Sequence, residues 1–276
     1  MTMSLGSIYI VTFSPTRTSF RVAEAIARGT AVPRTEIIDL TRVATPPVKI
    51  PADTLAILSF PVYGGKIPPV AVERLRALHG NNTPAVVSVT YGNRHYDGAL
   101  EQLAFLAREQ GFRILAAASF IGEHSYSTQA YPVAEGRPNA NDLQMAHTFG
   151  RDILAKLTGG QATEVDVRSI AKPAQPLWPT IRFIWKVIRF RRSGAKLQAA
   201  PLVQSETDCT RCGRCVRLCP TAAISAETPW QTDPARCIRC CACVKGCPAH
   251  VRHYKTPFSR FLSGSYSAPK QPQFLL

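Results

Sequence analysis

Over the first 160 residues, short and almost unbroken apolar runs alternate with longer amphipathic segments. IYIVTF, LAILSF and AVVSVT have the continuous hydrophobicity of strands buried on both faces. The pattern predicts strands at Ser7–Phe13, Thr35–Leu40, Thr54–Phe60, Ala85–Thr90 and Arg113–Phe120. Between and after them it predicts helices at Thr18–Arg28, Pro69–His79, Asp97–Gln110 and Asn141–Leu157. Alternating β and α at these lengths implies an α/β fold, a five-stranded parallel sheet doubly wound with helices. Ligands of such sheets bind beyond the carboxyl ends of the strands, at the switch point of the topology.

The loops at that edge can be read directly. FSPTRTSF, residues 13–20, brings the hydroxyls of Ser14, Thr16, Thr18 and Ser19 to the start of a helix. Hydroxyls and free N–H groups at a helix start suit a phosphate, without a Walker lysine. The same residues also suit a plain N-cap. Neither GxGxxG nor GxxxxGK(S/T) occurs in the chain. After the third strand comes FPVYGGKIPP, with Pro61, Val62, Tyr63, Gly64 and Gly65. After the fourth comes TYGNRHYDG, with Thr90, Tyr91, Gly92, Asn93, Tyr96 and Asp97. Each loop sets glycine, which permits close backbone approach, beside a ring able to stack on a flat heterocycle. Together with the hydroxyl loop they form a flavin-shaped constellation.

On these loops residues 5 to about 160 resemble flavodoxins. Their T/S-x-T-G-x-T phosphate loop implies FMN here, its phosphate on Ser14, Thr16, Thr18 and Ser19. The two later loops would bracket the isoalloxazine ring, with Tyr96 or Tyr91 stacking on it. Arg17 departs from the pattern, standing where flavodoxins have glycine. Either its backbone keeps a negative φ or the residue is strained, and its guanidinium is placed to assist the phosphate. In the fifth loop, IGEHSYSTQAYP, His124 is the one candidate proton carrier, and an ordinary loop residue is the simpler account of it. The same holds for Asp97 and Glu123 as partners of flavin or substrate.

Residues 158–176, rich in Gly, Ala, Thr and Pro, read as a connector. LWPTIRFIWKVIRFRR, residues 177–192, is a helix with Arg182, Lys186 and Arg189 in one narrow polar stripe and a wide apolar arc. Large apolar faces get buried, so the first expectation is that this arc packs between the two domains. The alternative is an amphipathic helix on a membrane surface or a partner, helped by Arg191, Arg192 and Lys196.

All nine cysteines lie between Cys209 and Cys247. CTRCGRCVRLCP (209–220) and CIRCCACVKGCP (237–248) both read C-x2-C-x2-C-x3-C-P and repeat with an offset of 28 residues. The offset pairs Arg211 with Arg239 and Val216 with Val244 as well, so the segment is an internal duplication with expected pseudo-two-fold symmetry. Structural zinc uses two CxxC pairs per ion and needs neither the third cysteine of each run nor the prolines. The spacing instead suits 4Fe–4S clusters. It resembles bacterial two-cluster ferredoxins over residues 203–252. Their crossed ligation implies Cys209, Cys212, Cys215 and Cys247 on one cluster, and Cys219, Cys237, Cys240 and Cys243 on the other. Cys241 lies outside both frames and its repeat-mate is Gly213, so it reads as a packed thiol.

Charge separates the same two pieces. Residues 1–150 hold 13 Lys and Arg against 11 Asp and Glu, whereas residues 151–276 hold 20 against 7. No nucleic-acid recognition motif accompanies the excess, and anionic clusters and a flavin phosphate would offset part of it, so nucleic acid is not an expected partner. The segment before Arg17 lacks the basic start of a secretory signal, and no run of about 20 uncharged apolar residues exists, which points to a cytoplasmic protein. The expected organisation is a flavodoxin-like domain (1–160), a linker with the basic helix (161–200), a small α+β two-cluster ferredoxin domain (201–255) and a tail (256–276). That order resembles flavodoxin–ferredoxin fusion proteins of anaerobic microbes. The resemblance implies electron transfer between FMN and two 4Fe–4S clusters, exchanged with redox partner proteins of acidic surface. The alternative is a ferredoxin-driven, flavin-dependent reductase of a small molecule, with His124, Tyr126 and Tyr131 shaping its pocket.

Overall fold

The computed structural model describes residues 5–42, 46–160, 163–194 and 198–276. Two compact units emerge, and neither is one continuous stretch. The first comprises Met1–Glu123, Gly136–Pro173 and Lys270–Leu276, the second His124–Glu135 and Ala174–Pro269.

In the first unit the chain runs β1 (Ser7–Thr12), α1 (Thr18–Gly29), β2 (Thr35–Asp39), β3 (Val48–Ile50), β4 (Thr54–Pro61), α2 (Pro69–Leu75), β5 (Leu78–Gly80), β6 (Thr83–Tyr91), α3 (Ala99–Glu109), β7 (Phe112–Ile121) and α4 (Ala140–Thr158). The main sheet is ordered β2-β1-β4-β6-β7, all parallel. Counting only these five strands, that is the flavodoxin-like 2-1-3-4-5 order, with its switch point between β1 and β4. β4 and β6 are buried along nearly their whole length, while β2 on the edge alternates exposed and half-buried residues. The apolar faces of α1 and α4 close one side of the sheet over Ile8, Ile10, Leu55, Ile57 and Phe120.

Two features differ from the sequence expectation. The sheet has a sixth strand, β10 (Gln273–Leu275), antiparallel to β7, drawn from what the sequence leaves as a tail of no clear periodicity. Phe274 anchors it, its ring 5.5 Å from that of Phe120 and 5.0 Å from that of Phe149. α2 stops at Leu75 and not His79, because Leu78–Gly80 pairs in parallel with β3 as a separate two-stranded ribbon.

The second unit holds α5 (Leu177–Arg192), β8 (Leu202–Val203), α6 (Arg214–Leu218), α7 (Ala242–Lys245), β9 (Arg252–His253) and α8 (Pro257–Ser263). β8 and β9 form an antiparallel ribbon that joins the two ends of the cysteine segment. A small core of Val133, Leu262 and Tyr266, with Tyr126, Phe183 and Phe258 against it, packs segment 124–135 and α8 together. The apolar arc of α5 is not buried as first expected: the helix has no buried residue. Lys196 lies outside the described residues.

Candidate functional site

At the carboxyl edge of the sheet, the loop after β1 is held by its own polar groups. Ser14 N–H donates to Thr41 Oγ1 (2.9 Å), and Ser14 Oγ accepts the N–H of Phe20 (3.2 Å), one of the free donors of the first turn of α1. Thr16 and Thr18 share a hydrogen bond between their hydroxyls (3.0 Å). Ser19 Oγ is buried with no partner among the described residues. Arg17, the helix N-cap, takes the left-handed conformation (φ 64°) that glycine adopts without strain, and lays its guanidinium over the Phe20 ring, 3.8 Å from the centroid.

The second and third loops converge on the first. Tyr63 and Lys66 exchange backbone hydrogen bonds across Gly64 (φ 59°) and Gly65 (φ 84°), a two-residue turn whose positive φ angles explain the glycine pair. Val62 N–H donates to the Thr90 carbonyl and Gly122 N–H to that of Tyr91, each at 2.9 Å, so the ends of β4, β6 and β7 are stitched side by side. A Cβ on Gly122 would lie 2.6 Å from Thr18 Cγ2 and 2.7 Å from Thr90 Cγ2, which brings the hydroxyl loop against the β6 loop.

Tyr91 and Tyr96 are both buried, edge-on to each other with centroids 5.7 Å apart, and Tyr63 is the ring of the three left half-buried. Burial pushes the Tyr96 phenol up to about 12 and raises that of Tyr91 further. The hydroxyls of Tyr91, Tyr96 and Thr90 join Ser19 Oγ as buried groups without partners among the described residues. Such a set of orphaned hydroxyls on one sheet edge is what a polar ligand would satisfy.

His95, which the sequence reading does not single out, stacks on Tyr96 and accepts the Asp97 N–H at Nδ1 (2.8 Å). Burial holds its imidazole below the ordinary range despite Asp97 Oδ1 at 3.4 Å. Asp97 pairs with Arg94, and Asn93 Oδ1 accepts the Lys270 N–H (3.3 Å) from the strand leading into β10. No local signal marks Lys270 or Gly122 for this role; they arrive by long-range contact. His124 is grouped with the second unit, where its Nδ1 accepts the Tyr126 N–H (3.0 Å). Glu123 stays with the first, its Oε2 accepting the Gly136 N–H (3.3 Å).

In the second unit the duplication is visible in the backbone. Positive φ recurs at the 28-residue offset three times: Arg211 and Arg239 (54° and 56°), Gly213 and Cys241 (68° and 58°), Ala222 and His250 (49° and 55°). The left-handed residues curl each C-x2-C-x2-C loop so that backbone N–H groups turn toward sulfur. Arg214 N–H approaches the Cys212 thiol and lowers its pKa; at the repeat-mate Cys240 burial raises the thiol, and Ala242 N–H offsets only part of that rise. Arg239 N–H donates to Cys237 Sγ (3.4 Å) and Ala223 N–H to Cys219 Sγ (3.2 Å).

Cys209, Cys212, Cys215 and Cys247 line one narrow pocket with Gly213, Pro248 and Arg252. Among the other cysteines, burial, with Cys219 and Cys237 adding to it, pushes the Cys240 and Cys243 thiols up to about 12. Buried thiols that lift one another in this way ionise readily only against a compensating metal centre. Among the described residues no three His, Cys, Asp or Glu side chains converge as they would on a single ion. Arg252 is buried beside the Cys209 pocket, bonded to the carbonyls of Pro201, Pro229 and Gln231 and 4.0 Å from Cys215 Sγ. Cys241 is buried at the N-cap of α7 and hydrogen-bonds the Arg239 carbonyl (3.6 Å).

Residues 202–225, which carry the first cysteine run, match the family described as a 4Fe-4S binding domain. No curated protein matches the chain. Among solved structures, a flavodoxin from the domain Archaea is 16% identical with a TM-score of 0.37, covering 55% of this chain and 98% of its own. A Streptococcus pneumonia TIGR4 flavodoxin is 16% identical with a TM-score of 0.38, over 54% of this chain and 99% of its own. Rubredoxin oxygen:oxidoreductase from Desulfovibrio gigas is 12% identical with a TM-score of 0.37, over 57% of this chain and 37% of its own.

Proposed function

We propose that this chain is an electron-transfer protein that holds FMN on its first unit and two 4Fe–4S clusters on its second, and exchanges electrons with redox partner proteins. The observation that carries the reading is the doubled cysteine loop, repeated in sequence and in backbone conformation, with Cys209, Cys212, Cys215 and Cys247 lining one pocket. Cys209, Cys212, Cys215 and Cys247 would hold one cluster, and Cys219, Cys237, Cys240 and Cys243 the other. Bound clusters supply one-electron steps, and a bound flavin supplies both one- and two-electron chemistry.

The chain's own part is to bind and to insulate. Ser19 Oγ, the Thr16–Thr18 hydroxyl pair and the start of α1 would take the flavin phosphate. Pro61–Gly65 and Tyr91–Asp97 would flank the ring system, with Tyr63 the accessible aromatic. Arg17 stacks on Phe20 at the mouth of this loop, with its guanidinium beside the proposed phosphate site. The backbone N–H groups aimed at cysteine sulfur stabilise the charge the clusters bring. The excess of 20 Lys and Arg over 7 Asp and Glu in residues 151–276 would steer acidic partners, with association slowing as salt rises.

A second reading, a reductase of a small molecule, has one observation in its favour. A cavity of about 500 Å³ in the second unit is lined by Tyr126, Tyr131, His253, Tyr254 and Lys255 beside Cys241. Protein purified without oxygen tests the main reading through its iron, sulfide and flavin content. About eight iron and one FMN per chain are expected for two clusters and a flavin. Eight iron with no flavin after adding FMN would remove the flavin half, and half the iron would remove the second cluster.

A further inference from the structure

Of the sixteen residues of α5, six form an uncovered apolar face. Leu177, Trp178, Ile181, Ile184, Trp185 and Ile188 follow the i, i+1, i+4, i+7, i+8, i+11 spacing of a single helical side. Their exposure runs from 44% at Ile188 to 77% at Trp178. Single exposed apolar residues need no explanation, but a continuous stripe with two tryptophans does.

The helix cannot roll this face inward, because its other side is already engaged. Phe183 packs on Tyr266 (5.5 Å between centroids), and Phe190 on Phe258 and Phe261 of α8 (6.4 Å each). Tyr266 OH and Thr180 Oγ1 are hydrogen-bonded at 3.5 Å. The stripe therefore faces outward by construction.

Charge says what covers it. LWPTIRFIWKVIRFRR contains five cations and no acid. Arg182, Lys186 and Arg189 run along one border of the stripe, and Arg191 and Arg192 close its C-terminal end. Arg260 of α8 adds to the field felt by Lys186, alongside Arg182, and Arg182 and Lys186 both reach Gly264 at the end of α8. Among the described residues none of these six cations has an ion-pair partner. A second copy of the chain meeting this face by two-fold symmetry would set cation against cation. A surface that is apolar in depth, anionic at its rim and flat over the roughly 24 Å of a sixteen-residue helix matches instead.

We propose that α5 docks the protein on the surface of an anionic phospholipid bilayer. Trp178, Trp185 and the isoleucines enter the boundary between headgroups and acyl chains, while the arginines and Lys186 reach the lipid phosphates. Contact is peripheral: among the described residues no helix is long and apolar enough to cross a membrane.

The test uses the full, cluster-loaded chain with vesicles of phosphatidylcholine alone or mixed with phosphatidylglycerol, in flotation and tryptophan fluorescence. Flotation with the anionic vesicles at low salt is expected, together with a blue shift and quenching by brominated acyl chains. Trp178→Ser with Trp185→Ser should weaken binding at least tenfold while leaving iron content unchanged. Arg189→Gln with Arg191→Gln and Arg192→Gln should weaken it in proportion to the anionic lipid fraction. Protein that stays in the soluble fraction with anionic vesicles overturns the proposal, as does equal binding to phosphatidylcholine alone. A lipid-free dimer that the double tryptophan variant dissolves would also overturn it, since a second copy would then cover the stripe.

Discussion

Gly122→Ala should unsettle the edge where the flavin is proposed to bind, and the structure sets its size. The added Cβ would lie 2.6 Å from Thr18 Cγ2 and 2.7 Å from Thr90 Cγ2. Relaxed carbon contacts fall at about 3.5–4.0 Å, so each overlap is roughly 1 Å. Thr18 cannot turn away without breaking its 3.0 Å bond to Thr16, and Thr90 sits at the buried end of β6. Overpacking of this kind costs about 1–3 kcal/mol. For a chain of this size each kcal/mol lowers Tm by about 2–4 °C, so a fall of about 2–12 °C is expected by circular dichroism. Because the displaced residue is one of the proposed phosphate ligands, FMN titration should show weaker binding as well. Thr18→Ser with Thr90→Ser removes both methyls in the way and should restore Tm in the Gly122→Ala background. A variant that melts like the parent, or one that the two serines fail to rescue, would refute the convergence of these loops.

Three further outcomes follow from the same geometry. Cys241→Ser should leave iron content at the parent value, whereas Cys247→Ser should remove the cluster shared with Cys209, Cys212 and Cys215 and leave the other EPR signal intact. Arg252 places a buried cation 4.0 Å from Cys215 Sγ, and its repeat-mate is the buried Ile224. Arg252→Gln should therefore lower the potential of the Cys209 cluster by at least tenfold in its one-electron equilibrium, about 59 mV, and that of the other cluster by less, since the Arg252 charge also acts on Cys243 and Cys237; Arg252→Lys should recover most of both. EPR-monitored titration reads both, and an equal shift of the two clusters would defeat the argument. Burial holds His95 below the usual imidazole range, so the unfolded chain takes up the proton first and stability falls as pH drops below about 6.5. His95→Gln keeps an acceptor for the Asp97 N–H and should lose less stability between pH 7.5 and 5.0 in urea unfolding; an identical pH dependence would assign the effect elsewhere.

Periodicity in the chain was enough to locate the five parallel strands and the helices between them, because strands buried on both faces must be apolar throughout. Spacing also marked the two C-x2-C-x2-C-x3-C-P runs, because cluster ligation imposes its own spacing. Other features had no local sign. Gln273–Leu275 is too short to show a period and becomes a strand because β7 offers an open edge and Phe274 finds Phe120 and Phe149. Tyr91 and Tyr96 read as stacking rings beside glycines, yet the fold buries both and leaves Tyr63 accessible.

The two faces of α5 show the division most clearly. The chain alone determines that the helix is amphipathic and basic, since that depends only on residues three and four apart. Which face is covered was decided in three dimensions, when Phe258, Phe261 and Tyr266 arrived from some seventy residues away to claim Phe183 and Phe190. Arg252 obeys the same rule. Its charge is written in the sequence, but its hold on Cys215 exists only because the β8–β9 ribbon folds the end of the cysteine segment back onto its beginning.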